Sequence, residues 1–307
     1  GIGIVMALNG PETPLEVPDT ATDATVGTPG DPNKTDDGAA TPGTATDIVT
    51  EELTTPEDIA ANDTADVNNM PTETKNELRD FPHEPIQITD EVDDKSEFGQ
   101  FRQQFRQALR DRNETFILPL LPKLDEDTLS YGFGLLPIDQ ANLDEPHSWF
   151  WSVLDKAMAH GCVSDSTEYW QVDSASNAVW VCSGITRAFE EQFPPPTAEF
   201  GIEHYIEHVI VLGENVNVRR QPTTDSDVIA LLSNEVVTQY EAGWEVVRQE
   251  LAEGEYRDPI DSWTPVTVPN GKTGYVYSRY AYQPLDPRLI FGRQDGQWTV
   301  LMIPAGD

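Results

Sequence analysis

The sequence predicts a polar N-terminal tether followed by a mixed α+β domain, an all-β barrel and a closing β-hairpin. Three observations carry that expectation. Residues 11–95 are dominated by Thr, Asp, Pro, Ala and Gly, with Phe81 as their one aromatic, a composition that buries too little apolar surface to offset ordering entropy. Between Phe98 and Met158 apolar residues recur at three- and four-residue steps, the period of an amphipathic helix. From Val209 to Tyr282 the period changes to two, with turn residues between the runs, as half-buried strands require.

Taken in order, residues 1–10, GIGIVMALNG, form an apolar stretch too short to span a bilayer. They read as the remnant of a signal peptide or of a membrane anchor, and a cloning remnant is the bland alternative. Residues 11–95 read as a disordered acidic linker, whose coil dimensions give a reach of about 50 Å. Residues 96–204 read as the α+β domain. In its first helix Phe98, Phe101, Phe105 and Leu109 form the inner edge, and Arg102, Arg106 and Arg110 a solvated, salt-bridged stripe. Asp144 suits the N-cap of a second helix from about Pro146 to His160, which Gly161 stops.

Cys162 and Cys182 flank two strand-like pieces, Tyr169 to Val172 and Ala178 to Val181. A hairpin there would bring the sulfurs together, and the bridge would contribute about 3 kcal/mol by loop entropy; two buried thiols are the other reading. Residues 205–283 read as the barrel. Asn270-Gly271 signals a tight hairpin with positive φ at both central positions. Residues 284–307 complete the chain as a β-hairpin turned at Asp295-Gly296, which needs another surface to cover it.

Asn217-Val218-Arg219, Pro222, Val228-Ile229 and Asn270-Gly271-Lys272-Thr273-Gly274-Tyr275-Val276 occur in an order that resembles the bacterial SH3-like domain of exported and cell-envelope proteins. The resemblance covers about a quarter of the chain. Residues 244–261, an acidic insert, depart from it by lengthening the loop before the Trp263 strand. The resemblance implies a non-catalytic interaction module in the periplasm, cell envelope or extracellular space, with cell-wall (peptidoglycan) peptide or a protein as partner. A rival reading is a wall-targeted hydrolase or inhibitor whose activity lies in residues 96–204. Convergent polar side chains in a pocket of that unit would favour the rival.

A formal charge of −35, from 54 acidic and 19 basic residues, excludes direct nucleic-acid binding, because a polyanion would be repelled. His204 and His208 invite a metal reading, but they lack the His-Glu-x-x-His order of a metalloprotease. Gly271-Lys272-Thr273 lacks the upstream glycine of a phosphate loop, and acidic runs such as Asp125-Glu126-Asp127 are too common here to mark an acid and base. The sequence therefore predicts no catalytic residues, cofactor or metal. The candidate ligand surface is the aromatic group Tyr277, Tyr280 and Tyr282 with Arg279, joined by Trp244 and Trp263, since exposed rings anchor binding sites. Packing of these rings into an interdomain seam is the opposing expectation.

Overall fold

The computed structural model describes residues 67, 69–173, 178–197, 201–249 and 257–306. Residues 1–66, which contain the apolar N-terminal stretch and most of the predicted linker, lie outside the described residues. All described residues belong to one compact unit, and no helix among them is long and apolar enough to cross a membrane.

The helix Glu97–Arg110 starts where Ser96 Oγ accepts the Gly99 N–H at 3.0 Å, a side-chain N-cap. Its apolar edge packs as the spacing predicts, with Phe105 fully buried. The arginine stripe is salt-bridged as expected but only in part solvated, Arg110 being exposed and Arg102 buried. Arg102 is 3% exposed and is held by Asp90 at 2.7 Å and Asp94 at 2.9 Å. Arg106 donates to the Met158 carbonyl. These partners come from the predicted linker and from a distant helix, so the stripe's own spacing could not reveal them.

The second helix is shorter than predicted, Trp149–Met158, and its N-cap is Ser148 rather than Asp144. Residues 142–145 instead form a turn in which Asn142 takes a left-handed φ of 52°. Both helices cover a four-stranded antiparallel sheet of order β13-β12-β4-β3. Its strands are β3 Cys162–Asp165, β4 Val179–Cys182, β12 Leu289–Gln294 and β13 Gln297–Met302. Cys162 and Cys182 stand directly opposite one another in β3 and β4 and form a disulfide, with Cα atoms 4.3 Å apart. The bridge is as expected, but the first strand begins at the cysteine, and Tyr169 to Val172 is no strand.

The closing hairpin turns at Asp295-Gly296, with φ of 51° and 79°, the two positive values of a type I′ turn. It does not stand as a separate element after the barrel. Leu289, Ile290 and Phe291 pair with Cys182, Val181 and Trp180, so residues 284–307 complete the sheet begun within residues 96–204. Central strands need partners on both edges, and β4 obtains its second partner from the far end of the chain.

The second sheet has seven antiparallel strands in the order β11-β5-β8-β9-β10-β6-β7. They are β5 His208–Val211, β6 Val216–Arg219, β7 Val228–Leu232, β8 Glu235–Gln239, β9 Trp263–Thr267, β10 Thr273–Tyr277 and β11 Ala281–Tyr282. The period-two alternation sends Val209 and Val211 to one core, with Val218, Leu232 and Val276, and Ile210 and Leu212 to another, under Ile185 and Phe189. The expected closed barrel is not formed: β11 and β7 remain the two ends of the sheet. Their edges find other neighbours. Leu231 in β7 donates its N–H to the Leu78 carbonyl, and β11 is only two residues long.

Asn270-Gly271 makes the expected hairpin with a different turn, since only Gly271 has positive φ, at 82°. Gly271 N–H bonds to the Val268 carbonyl and Val268 N–H to the Lys272 carbonyl. Pro269 pre-sets the first central φ of a type I turn, after which Gly271 supplies the left-handed residue.

The predicted linker is ordered in the part that is described before Lys95. Ile86 is 3% exposed, Pro85 bridges Glu235, and His83 Nδ1 lies 2.8 Å from the Glu235 carboxylate. Further on, Glu91 N–H donates to the Cys162 carbonyl. Here the backbone passes so close to Gly161 that an added Cβ would lie 2.5 Å from the Thr89 carbonyl. Apolar scarcity misleads in this stretch because the few apolar residues of 81–95, Phe81, Ile86, Ile88 and Val92, all pack against the cores while backbone bonds and ion pairs hold the rest.

Candidate functional site

Trp149–Met158 lies against the end of the acidic insert and the β10 to β11 region, and part of the predicted ligand group lies at this seam, whereas Tyr280 packs against the Val209, Val218 and Val276 core. Tyr277 is 1% exposed, meets Trp263 edge to face at 5.7 Å, and donates its hydroxyl to Asp261 at 2.9 Å. Burial first, and then the Asp261 charge, push this phenol above its usual range. Tyr282 is 4% exposed, meeting the His160 ring at 4.8 Å with Lys156 Nζ 4.9 Å over its face. Two of the six predicted ligand residues are therefore unavailable to a ligand. Trp244, Trp263, Arg279 and Tyr280 are half-buried. Trp244 belongs to a short helix, Gly243–Arg248, within the insert, and the Arg257 guanidinium lies 4.5 Å over its ring.

The seam is polar because both sides bring charge to it. Ser152 donates to Asp258 at 2.8 Å, and Lys156 Nζ reaches the Pro259 carbonyl at 3.1 Å and the Asp286 carboxylate at 3.3 Å. Burial pulls the Lys156 ammonium below its ordinary range, and Asp286 works against that fall. Such a network fixes how the helix meets the loop, because each buried charge has to keep its partner.

His160 gives the seam a pH dependence. Burial, reinforced by Arg106 and Lys156, lowers its pKa from 6.5 to about 4. Between these values the unfolded chain binds a proton that the folded chain does not, so stability rises with pH across this window. The contribution is complete above pH 6.5, and about 3 kcal/mol is lost by pH 4. The stability difference between the natural chain and His160→Asn, measured by urea denaturation, should narrow or invert by that amount from pH 7 to 4. A constant difference would contradict the assignment.

His204 and His208 bring their rings within 4.8 Å, yet His204 Nε2 lies 2.7 Å from the Phe193 carbonyl and His208 Nδ1 2.7 Å from the His204 carbonyl. Among the described residues no cluster of His, Cys, Asp and Glu is arranged to hold a metal.

A different surface carries exposed apolar groups. A groove of about 600 Å³ lies between the wall Pro119 to Leu124, the residues Thr299 to Leu301 of β13, and the segment Tyr169 to Gln171. Tyr169 is 83% and Leu124 60% exposed. Pro119 sits in a single 3-10 turn, Leu118–Leu120, that ends the preceding helix, and Pro122 follows in the extended wall. This wall is fixed by Leu124 N–H to the Thr128 carbonyl and Ser130 N–H to the Pro122 carbonyl. These bonds set it beside the hairpin of β1 Thr128–Tyr131 and β2 Gly134–Pro137. The second wall is held by Thr299 Oγ1 donating to the Leu120 carbonyl at 2.9 Å. The third is pinned across the closing hairpin: Gln294 donates to the Gln171 carbonyl, and the Asp173 carboxylate accepts the N–H groups of Asp295 and Gly296.

The groove's floor continues onto the hairpin. Ser130 lines the groove, and its cross-strand partner Leu135 is 70% exposed; directly opposed residues project from the same face. Sequence reasoning missed this site because Tyr169 and Trp170 read as strand residues. The available signal was an adjacent aromatic pair in a polar stretch. No family model matches this chain, and neither a curated protein nor a solved structure matches it.

Proposed function

We propose that this chain is a non-enzymatic binding protein of an exported, oxidising compartment, and that the groove beside β13 holds an extended peptide of the cell wall or of a protein partner. The groove carries the reading. Solvent-facing Tyr169 and Leu124 stand on walls whose backbones are hydrogen-bonded, and exposed aromatic residues are the usual anchors of recognition. Beside its prolines, leucines and aromatic rings the lining carries Lys123, Ser130, Gln171, Gln294 and Thr299, polar groups with no carboxylate, histidine or cysteine among them, which suits holding a chain more than cutting one. The Cys162–Cys182 disulfide supports export, since such bonds persist in oxidising compartments.

The strand Val216–Arg219, Pro222 and the Asn270-Gly271 hairpin support kinship of residues 205–283 with SH3-like modules. In this chain Tyr277 and Tyr282 are buried, and the groove beside β13 offers the exposed apolar side chains that recognition needs. The purified chain should co-sediment with insoluble peptidoglycan or bind peptides in solution, and Tyr169→Ala should weaken that binding about tenfold. Tyr280→Ala should leave it unchanged. The reverse pattern would return the site to the sheet, and no binding to either material would sink the reading.

A further inference from the structure

We infer that the groove takes a cationic ligand: an extended segment of a partner protein in which apolar residues alternate with lysine or arginine. This rests on the peptide-binding reading above and names the occupant of the same site. Charge complementarity carries the argument. Exposed Asp125, Glu126 and Asp127 follow Leu124 directly, and exposed Glu168 precedes Tyr169. The four carboxylates flank the lining and outnumber its one charged residue, Lys123, and nearby Arg293 is engaged by Glu97 at 2.6 Å. The whole chain carries −35, so an anionic segment would be repelled along its whole approach.

The rings point the same way. An ammonium or guanidinium is attracted to the face of Tyr or Trp by the ring quadrupole. Tyr169 and Trp170 line the groove, and exposed Glu168 directly precedes them. A cation seated there gains from both within one Debye length, about 8 Å at physiological salt. The apolar part of the footprint selects the source. Leu135 extends the apolar surface beyond the groove, from Leu124 on the first wall onto the outward face of β2. A short wall stem peptide would leave that extension uncovered, whereas a protein strand with alternating side chains would cover it.

The test uses the full chain at 0.15 M salt and an eight-residue peptide alternating valine and lysine. The comparison probes are the same peptide with every lysine acetylated, a valine and glutamate version, and a peptidoglycan stem peptide. The lysine peptide should bind at least tenfold more tightly than each of the others. Tyr169→Ala should weaken it about tenfold with unchanged melting temperature, while Ile206→Ala, an exposed apolar control away from the groove, should not.

Equal binding of lysine and acetyl-lysine peptides would overturn the cationic assignment and leave peptide binding standing. Tighter binding of the stem peptide, sensitive to Tyr169→Ala, would overturn the protein segment while keeping the site. Lysine-peptide binding that ignores Tyr169→Ala would show diffuse attraction to an acidic surface, which also overturns the inference. Binding of no peptide of any charge, and none to insoluble peptidoglycan, would remove the function proposed above together with its ligand.

Discussion

Phe291→Ala should destabilise the chain by about 3–5 kcal/mol, the usual cost of deleting a buried phenyl ring. Phe291 is fully buried, and its ring meets those of Phe98, Phe101 and Phe105 at 5.5, 5.8 and 5.2 Å. It also pairs with Trp180 through β12 and β4. One residue of the closing hairpin thus joins the first helix and the disulfide-bearing strands in one core. The cost should be large because three rings lose a neighbour and the helix backbone cannot collapse into the space. Urea denaturation gives the value from the shift in midpoint. A loss below about 1 kcal/mol, typical of a surface substitution, would show that the hairpin is dispensable to this core.

Joint replacement of Cys162 and Cys182 by Ala should cost about 3 kcal/mol. The two residues are 20 apart in sequence, and closing a loop of that length removes a corresponding entropy from the unfolded chain. Both positions are fully buried, so the alanines also forgo sulfur packing. Because the cross-link restrains the unfolded state, its removal should raise the denaturant m-value as well as lower the midpoint. Reducing the natural chain should produce the same two changes. An unchanged midpoint after complete reduction would mean that β3 and β4 are held by their ladder and core contacts alone.

The destabilisation expected of Phe291→Ala and that expected of the cysteine pair should not add fully. Phe291 and Cys182 are neighbours through β12 and β4 and share one core cluster, and sites that share partners couple.

Local signals were legible from the sequence wherever neighbouring residues decide conformation. The first helix follows from the Phe98 to Leu109 spacing, its start from Ser96, and the last hairpin from Asp295-Gly296, whose two positive φ values few other dipeptides adopt. The alternation in Val209 to Leu212 placed a strand, but of the two strands that the cysteines join only Val179–Cys182 was legible, the other being expected at Tyr169 to Val172 and found at Cys162–Asp165. Even there, detail escaped. Asn270-Gly271 gave a hairpin but a different turn, because Pro269 before it imposed its own φ.

Tertiary structure alone decided which faces meet. Arg102 looked solvated until Asp90 and Asp94 came to it, and Tyr277 and Tyr282 looked available until Trp263 and Asp261 closed over the first and Lys156 and His160 over the second. The closing hairpin could be foreseen as needing a cover, yet its partner β4 lies more than 100 residues earlier. The groove combines walls from three separate stretches of chain. The physical reason is common to all four cases: periodicity records what a residue's neighbours along the chain impose, whereas burial, charge pairing and concavity depend on segments whose encounter no local pattern encodes.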